Sequence, residues 1–240
     1  MLDFKRLLSA GIALAALAGP ASAAVVAPGT SVDGQTQLQW SEQWWQWALG
    51  VPSANNPIMD ATGADAGQNN AGPVFFLAGT FGESVTRSFS APGGTPVFFP
   101  VVNYIDLETD TAACGLSCAL GFISPAIGGA TGLMASVDGV AVAVDGTYRQ
   151  TSAAFFPASL PAGNIYGMPG GTYDGFVSDG YWVMLDGLSP GPHTITFGGS
   201  IPGVDPVLVT DNIDVPEPAS LALLVGGVAA LGLRRRVRRT

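Results

Sequence analysis

Asp106, Glu108 and Asp110 occupy alternate positions, so on a strand the three carboxylates would share one face. Paired carboxylates can act as the acid and base of glycoside hydrolysis. The same cluster could hold a cation, or form a solvated acidic rim beyond the apolar run that ends at Asn103. His193 is the only histidine. A nucleophile needs a base beside it, but no G-x-S-x-G elbow accompanies this one. His193 lies in line with Ile195 and Phe197 on an alternating segment, which reads as structural. Neither a Walker loop nor a convincing dinucleotide fingerprint is present. The sequence therefore points to no catalytic constellation and no cofactor.

Cys114 and Cys118 are the only cysteines. In an oxidising compartment a local disulfide is the leading reading. Redox or metal chemistry is the lesser one, because a single histidine and no second cysteine pair argue against a zinc site. Asp138-Gly139, Asp145-Gly146, Asp174-Gly175, Asp179-Gly180 and Asp186-Gly187 read as turns rather than calcium loops.

Trp40, Trp44, Trp45 and Trp47 could stack on sugar rings, or pack a core. Trp40, Trp44 and Trp47 lie at i, i+4 and i+7, one face of a helix predicted over Gln35 to Gly50. Helical spacing favours packing, since each indole buries a large area. Gly50 and Pro52 end this helix.

The rest of the body is punctuated by Gly and Pro, and its apolar runs are short. That pattern predicts strands over 74–78, 84–90, 96–102, 133–137, 140–144, 180–185, 193–198 and 207–215. The expected fold is mainly β: an antiparallel β-sandwich or jelly-roll-like body with one N-terminal amphipathic helix. A C-terminal transmembrane helix is added to it.

Both ends carry addresses. Lys5 and Arg6 precede an apolar run, Leu7 to Ala18, and Ala21-Ser22-Ala23 follows. This is the order of a secretory signal over 1–23, which implies signal peptidase and the export machinery as partners. At the other end Val215-Pro216-Glu217-Pro218 precedes an apolar segment, Ala219 to Leu233. As a helix that segment would be about 22 Å long. Thinning of the bilayer and arginine snorkelling can cover the shortfall against a hydrocarbon core of roughly 30 Å. Arg234, Arg235, Arg236, Arg238 and Arg239 then mark the cytoplasmic side. Residues 24–214 are expected to form a secreted domain, passing through an inner-membrane intermediate.

The net charge of −9 is set partly by those ends. Residues 24–214 hold only Arg87 and Arg149 against sixteen acidic side chains, a net charge of −14. A surface of that sign excludes nonspecific nucleic-acid binding.

The C-terminal segment over 215–240 resembles the PEP-CTERM sorting signal in its motif, apolar helix and arginine cluster. The resemblance implies an exosortase, a membrane-embedded cysteine transpeptidase, cutting near Pro-Glu-Pro. It also implies a Gram-negative, often exopolysaccharide or biofilm, setting. The body is similar to other secreted proteins with no assigned activity. The likeness runs through Trp44-Trp45-Gln46-Trp47-Ala48, Asn56-Pro57, Gly72-Pro73-Val74-Phe75-Phe76 and Phe98-Phe99-Pro100-Val101-Val102-Asn103. It implies no chemistry. The expected function is a non-enzymatic surface or matrix role. Binding of polysaccharide is the alternative, and glycan hydrolysis a more distant one.

Overall fold

The computed structural model describes residues 23–217. In chain order these form α1 (Gln37–Leu49), β1 (Phe75–Phe76), β2 (Ser84–Ser90), β3 (Val97–Leu107), α2 (Leu116–Gly128), β4 (Thr131–Val137) and β5 (Val140–Val142). β6 (Arg149–Thr151), β7 (Phe156–Leu160), β8 (Gly171–Leu185), β9 (Gly191–Ser200) and β10 (Val207–Val215) follow. The expected signal segment and the helix and arginines after Pro218 lie outside the described residues. Among the described residues no helix is long and apolar enough to cross a membrane.

Two five-stranded sheets face each other. One runs β1–β3–β8–β6, with β7 also on β8; the other runs β2–β10–β9–β4–β5. Between them lies a core in which Phe99, Val101, Val183 and Leu185 meet Ile195, Phe197, Val209 and Ile213. The first sheet is buried on its other face too. There Phe98, Trp182 and Met184 meet the tryptophans of α1. Burial on both faces explains why Val97 to Val102 is a continuous apolar run rather than an alternating one.

α1 starts at a capping box. The Thr36 side chain accepts from the Gln39 backbone N–H, and the Gln39 side chain accepts from the Thr36 N–H. Its tryptophans are committed to the core: Trp40, Trp44, Trp45 and Trp47 are only 1, 1, 4 and 8 % exposed. Three of the four indole N–H groups donate to backbone carbonyls, Trp40 to Val32, Trp44 to Leu77 and Trp47 to Gln68.

Three expectations need correction. The sandwich is mixed rather than antiparallel, because β1 pairs β3 and β2 pairs β10 in parallel. Parallel pairing joins segments far apart in sequence, here Ser84–Ser90 with Leu208–Asp214. A second helix, α2, packs Ala119, Ile123 and Ile127 against Val177 and Val102. The glycines within it and Pro125 concealed it from a propensity argument. Strands β6 and β7 also went unexpected. The Asp138-Gly139 hairpin does form, with both residues at positive φ, 51° and 79°, whereas Asp174-Gly175 and Asp179-Gly180, expected as turns, lie within β8.

Candidate functional site

The residues singled out by sequence do not converge. β3 ends at Leu107, so the alternation that would align Asp106, Glu108 and Asp110 stops after Asp106. Glu108 instead accepts from the Asp110 backbone N–H (2.7 Å), and Asp110 accepts from that of Ala113 (3.0 Å). These two carboxylates hold the turn leading to α2. Among the described residues no group of three or more His, Cys, Asp or Glu could hold a metal ion. Cys114 and Cys118 are joined by a disulfide at the start of α2.

His193 is buried between Asp138 and Ser189. Its Nδ1 lies 2.8 Å from Asp138 Oδ2, and its Nε2 lies 3.3 Å from Ser189 Oγ. This has the order of a catalytic triad, but Nε2 also lies 2.8 Å from the Ser189 carbonyl oxygen. A carbonyl can only accept, so this contact is a hydrogen bond when Nε2 carries the hydrogen, a form in which Nε2 cannot take one from the serine hydroxyl. The histidine pins the turn before β9 to the β4–β5 hairpin.

Both arginines of the body are internal fixtures. Arg149 makes a two-pronged pair with Asp179, Nε to Oδ1 at 2.9 Å and Nη2 to Oδ2 at 2.6 Å. Ser124 and Thr151 hydroxyls donate to the same carboxylate, which is fully buried. The hydrogen bond to Asp179 raises the Arg149 pKa, outweighing burial. Arg87 donates to the carbonyls of Asp60, Ala78 and Gly79 and so ties the long loop before β1 and the one after it to β2.

Asp211 lies 4.0 Å from Arg87 with no hydrogen-bond donor at Oδ1. Burial lifts its carboxyl to about 7; Arg87 opposes the rise and Asp60 adds to it. Because the folded value exceeds the unfolded one, the folded state binds the extra proton. Stability from this group is full below about pH 4 and is lost as pH rises toward 7. Asp211→Asn should flatten that dependence: urea midpoints at pH 5 and pH 8 should differ less in the variant than in the parent.

One surface feature stands apart. A cleft of about 280 Å³ opens beside β3 and the β9–β10 connection. Trp44 and Trp45 form part of its wall, while Phe81, Tyr104 and Tyr166 stand exposed at its mouth. The aliphatic wall comes from Val101, Val102 and Ile105 of β3 and from Ile201, Val204 and Val207. Among the described residues no charged side chain lines it. The Tyr166 hydroxyl is pushed up to about 12 by burial, with Asp106 and Tyr104 adding to the rise, so it stays a hydrogen-bond donor. Two N–H groups of this lining, Trp45 Nε1 and Asn103 Nδ2, are buried without an acceptor. Sequence reasoning missed the cleft because its walls come from six separated segments. The aromatic residues at 81, 104 and 166 carry no common spacing.

The ends of the domain gather at the opposite pole. Val215, the last residue of β10, pairs with Gly191, and Ala91 N–H donates to the Asp214 carbonyl. Gly94 N–H donates to the Leu188 carbonyl, and Asp186 and Ala24 are paired through two hydrogen bonds. Ala24 and Val215 therefore lie at the same pole of the fold. The cleft reaches Val207 at the start of β10, and nine residues of strand put roughly 30 Å between the two.

No curated protein and no solved structure matches the chain. A family model, the PEP-CTERM protein-sorting motif, matches residues 214–236, beginning at the last residue but one of β10, just before Pro216 and Glu217 emerge into solvent. The chain thus carries a PEP-CTERM protein-sorting motif at its C-terminal end, which supports an exported protein processed by exosortase.

Proposed function

We propose that the protein is delivered as a non-catalytic surface or matrix domain, residues 24–214, after removal of a signal peptide over 1–23 and of the sorting segment over 215–240. The carrying observation is where the motif sits. Val215 is buried in the strand, and Pro216 and Glu217 are exposed immediately after it. Only three residues separate the fold from the apolar run at Ala219, a reach of about 10 Å. The motif is thus held close to the membrane in which the exosortase resides. Ala24 lies at the same pole, so both apolar ends can occupy one membrane while the domain folds outside it.

Cleavage after Ala23 also fits its surroundings. The Ala24 nitrogen is 2.8 Å from Asp186 Oδ1, so the ammonium created there would meet a carboxylate already in place. The helix tryptophans give no support to a sugar-stacking role on the outer face of α1, because all four are buried.

Intact mass of the mature protein tests the reading. It should have lost Met1–Ala23 and Arg234–Arg239, and Glu217→Ala should accumulate a form that keeps the tail. A mature parent protein that retains Arg234–Arg239 would make the segment a permanent anchor instead.

A further inference from the structure

We infer that Arg87 and Asp211 form a proton-operated latch on one wall of the cleft: while Asp211 is protonated, Arg87 holds the segment that follows β1, and once Asp211 ionises it draws Arg87 away and lets that segment go.

The segment has little else to hold it. Leu77 is fixed on both sides, its N–H donating to the Phe98 carbonyl and its own carbonyl accepting from the Trp44 indole. Ties resume at Glu83, whose carbonyl accepts from the Leu208 N–H. Between them, among the described residues, the only hydrogen bonds leaving residues 78–82 for the rest of the fold are those from Arg87 to the carbonyls of Ala78 and Gly79. The Thr80 hydroxyl bonds locally, to the backbone of Glu83. Gly79, Thr80 and Phe81 line the cleft, and Phe81 is 56 % exposed. A third bond, from Arg87 Nε, holds the Asp60 carbonyl, two residues beyond Ile58 of the same wall.

The trigger lies beside these bonds. Asp211 is 1 % exposed, and its Oδ1 has no donor and is sealed from solvent. A carboxylate there is costly unless it is paired. Arg87 Nη1, at 4.0 Å, is too far away for a hydrogen bond. Burial accordingly lifts the Asp211 carboxyl to about 7 against the pull of Arg87. Asp60, the other charged group that acts on it, adds to the rise. On β9, Ile195 pairs with Asp211, and His193, diagonal to it, is engaged by Asp138 and Ser189. Trp47 of α1, Phe76 of β1 and Phe89 of β2 border the same space and carry no charge.

Ionised Asp211 can be answered only by Arg87. Nη1 must then come closer by about 1 Å to make a charge-assisted bond. The guanidinium is a rigid plane, so its donors move together. The bonds of 2.7 Å to the Asp60 carbonyl and 3.0 Å to the Gly79 carbonyl cannot both survive such a shift. A space of about 10 Å³ bordered by Arg87 and Asp211 gives the side chains room to make it.

Hydrogen exchange of the secreted protein, read by mass spectrometry at pH 5 and pH 8 and corrected for the intrinsic rate at each pH, tests the latch. Protection of residues 78–83 should fall about tenfold from pH 5 to pH 8, the factor expected one pH unit above the Asp211 value. Protection of β8, which monitors the fold as a whole, should not follow. Asp211→Asn keeps the shape and cannot ionise, so its residues 78–83 should be equally protected at both pH values. Three results would overturn the latch: equal protection at both pH values in the parent, a pH dependence that persists in Asp211→Asn, or a loss in β8 that keeps step with residues 78–83. None of them bears on export and processing, which intact mass reads separately.

Discussion

Replacing Arg149 with alanine is expected to cost the domain about 3–5 kcal/mol, a large part of the 5–15 kcal/mol typical of a folded domain. The size follows from what remains. Asp179 would stay fully buried with only the Ser124 and Thr151 hydroxyls to hold its charge. The Ser124 carbonyl would lose its donor as well, and with it a tie between α2 and β6. Arg149→Lys should recover little, because an ammonium cannot reproduce the two parallel N–H bonds. Urea unfolding at pH 7 measures the loss. Combining Arg149→Met with Asp179→Leu should restore much of it, since the cost lies in the orphaned carboxylate rather than in the missing attraction. If the double variant is as unstable as Arg149→Ala, packing rather than charge is what Arg149 supplies.

Trp44→Ala is expected to cost about 3–5 kcal/mol by leaving a large void. Trp44 is the hub of the aromatic layer between α1 and the first sheet. It meets Trp45, Trp47 and Trp182 edge-to-face with ring centroids 4.9–5.8 Å apart. It also donates 2.8 Å to the Leu77 carbonyl, which would be left buried and unpaired. Thermal unfolding followed by near-ultraviolet circular dichroism should show an earlier and broader transition. Trp44→Phe should be milder, keeping most of the area while losing the hydrogen bond. An alanine scan of α1 that reports lost binding of any ligand must therefore be read beside the melting temperature.

What the sequence made legible was local. Three tryptophans at helical spacing marked α1, whose expected start lay within two residues of the observed one, and Asp-Gly placed the β4–β5 turn. Two strands, Ser84–Ser90 and Val207–Val215, were read with their observed bounds, but not the parallel pairing that joins them. No local signal fixes a partner more than a hundred residues away. β7 had its signal in plain view, since Phe156, Ala158 and Leu160 alternate with exposed residues, but Pro157 masked it. The carboxylates at 106, 108 and 110 were misread for a related reason. Alternation means a shared face only while the strand lasts, and hydrogen bonds to Asp110 and Ala113 end it. The cleft had no sequence signature at all, because it exists only where β3, α1 and the β9–β10 connection come together.

The two internal arginines have a consequence for life outside the cell. Between Ala24 and Val215 there is no lysine, and both arginines are held by several hydrogen bonds each within the folded domain. Trypsin-like proteases must draw a basic side chain, on an extended segment, into an acidic pocket. The folded domain offers them nothing to grip. It likewise presents no side-chain amine to crosslinkers, glycating sugars or enzymes that form isopeptide bonds. A domain trimmed to residues 24–214 would offer an amine for covalent attachment only at its first residue, so any bond made elsewhere on it would have to use a carboxylate, a hydroxyl or a ring.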